Sequence, residues 1–188
     1  MALELIKINN LKKEVPEWIN ILYANGFTTK QITFALPQMI VESGYFTSNS
    51  YKQDLNPLGI KYKPAAPSPD TTAGRVSTEK DNYARFGSKD SLAKEYKRIL
   101  NLQRAGNKIG KPIDAKDLAD YNNRLYANGY YQKDALHKKN YLQGLVSANA
   151  NIQKYVPNYL ELLKKKSMIF LPFLLGGILL VMAVLKNR

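Results

Sequence analysis

Between Ile32 and Val41 the apolar positions repeat at helical spacing: Ile32, Ala35, Leu36, Met39 and Ile40 form one stripe, and Phe34 and Val41 lie off it. A segment that is apolar nearly all round belongs at the centre of a small domain. Thr28 followed three residues later by Gln31 has the form of a capping box, so this helix is expected to start at Thr28 and to stop at Ser43-Gly44. Pro37 removes one backbone donor and is expected either to bend the helix or to mark an irregular first turn. Upstream, Pro16 reads as a first-turn proline. With Trp18, Ile19, Leu22 and Tyr23 on one face and Gly26 as the stop, it predicts a short amphipathic helix packed on the central one. Met1 to Val15 is mixed and charged and lacks the apolar run of a signal peptide.

After Gly44 the Asn, Ser, Asp, Pro and Gly content predicts a loop, with Leu58 to Tyr62 as a short strand. The Pro- and Ser-rich stretch that follows reads as a hairpin or flap, from which Tyr83 to Phe86 pairs back against Ile60 to Tyr62. Three helices complete the body. The first is capped by Asp90 or Ser88, carries Leu92, Tyr96, Ile99 and Leu100, and ends near Gly106. The second has Asp114 as N-cap and Asp117 at the third position, carries Leu118, Tyr121 and Leu125, and ends at Asn128-Gly129. The third runs from Asp134 to about Asn149 with Leu136, Tyr141, Leu145 and Val146.

The expected fold class is therefore α+β, mainly α, with a small β-hairpin lobe. One domain spans residues 1–150 and a basic connecting segment 151–167. Residues 168–185 carry no charge and would reach about 27 Å as a helix, close to one hydrocarbon thickness. Lys164, Lys165, Lys166, Lys186 and Arg188 bracket them, so a C-terminal transmembrane helix in a lipid bilayer is expected, with a buried core helix as the alternative.

Composition narrows the chemistry. A net charge of +13 favours polyanions, but the Lys and Arg residues are scattered over several helices, so no nucleic acid partner is expected. Without cysteine there is no disulfide or thiolate metal site, and the one histidine, His137, reads as an exposed helix residue among lysines; no metal or cofactor is expected. Glu42 is the only acidic residue between Glu17 and Asp54. At a helix C-terminus beside apolar surface its ionised form is disfavoured, which raises its pKa as a general acid requires. The alternative is a Glu exposed at a helix end.

Four stretches in order, MIVESG from Met39, NPLGIKY from Asn56, YARFGSKDSLAKEY from Tyr83, and NGYYQKD with YLQGL between Asn128 and Leu145, resemble the bacterial glucosaminidase family, glycoside hydrolase family 73. That resemblance implies a lysozyme-like fold with a sugar-binding groove and a peptidoglycan hydrolase of the N-acetylglucosaminidase type. It makes Glu42 the general acid and looks to the β lobe for a second carboxylate, where Glu79 is the candidate and Asp70 and Asp81 its rivals. It also places a catalytic tyrosine at Tyr130, with Tyr131 a near tie, and puts Asn56, Tyr62 and Tyr131 at the substrate. The alternatives are a lytic transglycosylase using the same acid and a non-catalytic, membrane-anchored structural or wall-binding protein. The lack of an export signal and the charges flanking residues 168–185 leave the domain on the wrong side for a cellular wall enzyme. This suggests a virion-associated lysin in the internal membrane of a bacteriophage, with capsid or membrane proteins as neighbours, or otherwise an enzyme of the bacterial inner membrane.

Overall fold

A computed structural model describes residues 4–65, 70–76, 80–131 and 134–164. Helix α1 (Leu5–Ala24) is longer than Pro16 suggested, and that proline lies inside it. The reason is the stripe Leu11, Val15, Trp18, Ile19 and Leu22, which continues through the proline and is completely or almost completely buried. Burial of this face outweighs the backbone bond that Pro16 forgoes.

Helix α2 (Thr29–Glu42) begins as expected: the Thr28 side chain accepts from the Gln31 amide while Gln31 accepts from the Thr28 amide, a capping box that contributes about 1 kcal/mol. Ile32, Ala35, Leu36, Met39 and Ile40 are fully buried, which makes α2 the central helix. Its end is built by Ser43. The Ser43 hydroxyl donates to the Met39 carbonyl at 2.6 Å and accepts from the Phe46 amide at 2.8 Å. Gly44, Tyr45 and Phe46 then all take positive φ. For the two non-glycine residues this costs roughly 1–2 kcal/mol each. Burial of Phe46 against Tyr51, with rings 5.1 Å apart, and a bond from the Asn10 amide to the Tyr45 carbonyl offset it. The turn therefore holds the last residue of α2 in a fixed place.

The short helix α3 (Asn49–Asp54) leads to strands β1 (Thr71–Val76) and β2 (Asn82–Phe86), an antiparallel pair with an irregularity between Ala73 and Val76. The Ile60–Tyr62 stretch pairs with β2 as expected, through a Lys61–Tyr83 bridge and backbone hydrogen bonds in which the Tyr62 amide donates to the Asn82 carbonyl and the Ala84 amide to the Ile60 carbonyl. Asp54 is fully buried beneath this lobe, with Arg85 at 2.9 Å and Arg75 at 3.4 Å. Gly74 is required there, because a Cβ would lie 2.9 Å from both Asp54 and the Tyr83 carbonyl.

Helix α4 (Lys89–Leu100) is capped by Ser88 and stops well before Gly106. Asp114 does not cap the next helix: Pro112–Asp114 forms a 3-10 turn, and Asp117 caps α5 (Leu118–Ala127) by accepting from the Asp120 amide at 2.8 Å. Helix α6 (Ala135–Tyr155) lies along α2, runs past residue 150, and is followed by a turn and a helical stretch, residues 159–164, that buries Tyr159 and Leu163 in the core. The Tyr23 hydroxyl donates to the Leu163 carbonyl at 2.7 Å, so this stretch is docked on α1.

The expected transmembrane helix is corrected. Among the described residues no helix is long and apolar enough to cross a membrane. The two longest, α1 and α6, are amphipathic and carry lysines on their outer faces. Residues 168–185, on which the expectation rested, lie outside the described residues. What stands is a mainly helical body with a two-stranded sheet.

Candidate active site

The C-terminus of α2 opens onto a groove of about 950 Å3. Val41 and Glu42 form its floor. Leu58 to Lys63 with Tyr83 and Ala84 make the wall on the β lobe; Glu95, Arg98 and Ile99 of α4, Leu102 just after it and Gly129 to Tyr131 face them, and His137 and Tyr141 of α6 close one side. The groove exists because α2 ends, at the Ser43 turn, where the β lobe and the helical body meet.

Glu42 is only partly exposed, and the Tyr141 hydroxyl donates to its Oε1 at 2.5 Å. Burial raises its pKa; the Tyr141 hydrogen bond and then the His137 charge oppose that shift without cancelling it. Among the described residues no Lys or Arg forms an ion pair with Glu42. Burial first, and then the Glu42 charge, hold the hydroxyls of Tyr141 and Tyr130 well above the ordinary phenol range, so both are neutral donors. A carboxyl biased to its protonated form, accessible from a polymer-sized groove, can give a proton to an oxygen bound there.

Tyr141 was legible only as part of an apolar stripe. A tyrosine on a buried helix face needs a partner for its hydroxyl, and the partner turns out to be Glu42, 99 residues away. Tyr131 supports it: its ring lies 4.6 Å from that of Tyr141 and 5.3 Å from the imidazole of His137, and its hydroxyl is 2.5 Å from the Asn122 Oδ1. His137 is exposed, as expected, yet lines the groove. Behind α2 the fully buried Gln38, one turn before Glu42, accepts at Oε1 from the hydroxyls of Tyr96 and Tyr121, which joins α4 and α5 to the floor.

The other expected site residues divide. Tyr62, Tyr130 and Tyr131 line the groove, and the Tyr130 hydroxyl spans to the Leu58 carbonyl at 3.3 Å. Asn56 does not reach the groove surface. It is fully buried; its amide nitrogen donates to the carbonyls of Ile60 and Ala84, and its oxygen accepts from the Ile60 amide, so it shapes the wall from behind. Glu79 lies outside the described residues. Asp70 sits by Ser88 at the start of α4, and Asp81 is exposed and is not a lining residue. Glu95, by contrast, lines the groove. It is nearly buried and held by two bonds from Arg98, at 2.6 and 2.7 Å. Its sequence neighbours on α4, Tyr96 and Leu92, masked it as part of a packing face. No cluster of metal-ligating side chains occurs among the described residues.

No family model matches the chain, and no curated protein matches it. Among solved structures, the catalytic domain of the autolysin Auto from Listeria monocytogenes is similar, at 15% identity over 81% of this chain and 89% of that chain, with a TM-score of 0.48. At that level the likeness is a loose one of backbone path.

Proposed function

We propose that this protein is a peptidoglycan hydrolase that cuts β-1,4 bonds of the glycan strands in the manner of an N-acetylglucosaminidase. The observation that carries the reading is Glu42: a carboxyl whose pKa is raised by burial, hydrogen-bonded by Tyr141, at the floor of an open groove. The groove walls present Tyr62, Tyr83, Tyr130 and Tyr131, whose amphipathic rings suit pyranose faces, and the sequence resemblance to the glucosaminidase family points the same way.

Glu42 gives its proton to the glycosidic oxygen as the C1–O bond breaks and positive charge grows on the sugar ring. Tyr141 then hydrogen-bonds the carboxylate that remains, so the donor is not left as a bare buried anion. The cation is met either by the substrate's own 2-acetamido oxygen or by water activated by Glu79. Glu95 also lines the groove, where its carboxylate is engaged by Arg98.

The test is digestion of purified peptidoglycan followed by mass analysis of the fragments. Reducing N-acetylglucosamine ends are expected. Anhydro-muramyl ends would make the enzyme a transglycosylase, and no fragments at all would make the groove a binding site only.

A further inference from the structure

The groove does not stop at Tyr130. Beyond a ridge of Ile99, Leu102 and Tyr130, residues that line both hollows, lies a second depression of about 370 Å3. Its floor is apolar, with Leu125 from the core and the buried Pro112, and Arg104 stands at its rim. Leu102 is about half exposed (50%), so the ridge is low and a ligand in one hollow can reach the other. The Arg104 backbone amide donates to Asn128 Oδ1 at 2.7 Å, and its guanidinium Nη1 lies so close over Gly129 that a Cβ there would be 2.6 Å away. Gly129 has φ +70°, a conformation that suits glycine. Arg98 on the groove side is taken up by Glu95, whereas Arg104 is exposed and has no ion-pair partner among the described residues.

A cation beside an apolar hollow is out of place for an uncharged, hydroxyl-rich sugar. It fits an arm that carries small apolar groups and a carboxylate. Peptidoglycan has such an arm on every muramyl residue: a lactyl group followed by a short peptide stem. We infer that, with the glycan in the main groove, the second depression receives the lactyl-peptide arm, its methyl groups on the apolar floor and a stem carboxylate on Arg104. This rests on the reading of the groove as a glycan site.

Two soluble glycan fragments of equal length test it, one bearing peptide stems and one stripped of them by an amidase. The full-length protein is expected to show a KM about tenfold lower for the stem-bearing fragment, the size of one charge-assisted contact. Arg104→Gln should remove that preference and leave cleavage of the stripped fragment unchanged. Arg104→Lys should restore part of it, and the melting temperature of both variants should match the wild type. Equal KM values for the two fragments in the wild type, or an Arg104→Gln effect equal on both, would overturn the inference. If neither fragment is cut, the hydrolase reading fails, and an NMR titration of the full-length Glu42→Gln protein decides the depression by itself. Shifts at Arg104 and Leu125 with the stem-bearing fragment alone support the inference; shifts with neither or with both alike overturn it.

Discussion

Removing the Tyr141 hydroxyl probes the site without touching the acid itself. In Tyr141→Phe the ring is kept, along with its packing on Tyr131 at 4.6 Å, and only the bond to Glu42 Oε1 at 2.5 Å is lost. A hydrogen bond to a charged group contributes about 1.5–3 kcal/mol, and one to a neutral carboxyl about 1 kcal/mol. The difference, about 0.5–2 kcal/mol, favours the ionised form of Glu42. At about 1.4 kcal/mol per unit, its loss should move the acid's titration upward by about one pH unit. The sign follows from the direction of that bond, which lowers the Glu42 pKa against the larger effect of burial. The alkaline limb of the kcat profile on a soluble glycan reports the acid in the complex, and it should shift to higher pH by about that amount. The Glu42 carboxyl carbon, followed by NMR against pH, gives the same quantity without turnover. A limb that stays in place or moves to lower pH would show that Tyr141 does not bond the carboxylate, and the account of the acid would fail.

Three further outcomes follow from the same contacts. Because the pKa of Glu42 is raised on folding, the stability it contributes is fully present below the unfolded carboxyl pKa and is lost as pH rises through the folded value. Glu42→Gln should therefore melt like the wild type in acid and above it near neutral pH; a variant that melts lower at neutral pH would contradict the burial argument. Asp54→Ala leaves Arg75 and Arg85 unpaired under the β lobe. Since both arginines are partly exposed, the loss is put at about 1–3 kcal/mol rather than the larger cost of a fully buried pair, read by urea unfolding and by faster amide exchange in β2. Glu79→Gln should leave the rate unchanged if the acetamido oxygen captures the cation, and lower it by a hundredfold or more, on the order of a general-base contribution, if Glu79 activates water.

Local signals carried the reading of α2. Thr28 and Gln31 are three residues apart, Ser43 and Gly44 follow the acid directly, and each acts within one turn, so the helix, its cap and the place of Glu42 could be read from neighbours in the chain. Pro16 misled for the same reason. Taken with its neighbours alone it is a good first-turn residue, and only the buried stripe from Leu11 to Leu22 overrides it. Asp114 reads locally as the cap with Asp117 inside the first turn, but the 3-10 turn at Pro112 takes up Asp114 and moves the start of the helix to Asp117. The partners of the acid were out of reach. Tyr141 meets Glu42 across 99 residues, and Gln38 collects hydroxyls from two other helices. Such pairings depend on how α6, α4 and α5 pack on α2. Asn56 shows the converse: a polar residue in a matching motif, placed at the substrate by resemblance, turns out to have its amide taken up by the backbone it supports.

The central claim is that Glu42 supplies the proton that breaks the glycosidic bond, and the most direct measurement is the lytic rate of Glu42→Gln on purified peptidoglycan beside the wild type. The amide keeps the shape and cannot act as an acid, so the account predicts a fall of about 100- to 10,000-fold, with the circular dichroism spectrum and the fragment pattern of any residual activity unchanged. Retention of full lytic activity by a folded Glu42→Gln protein would contradict it.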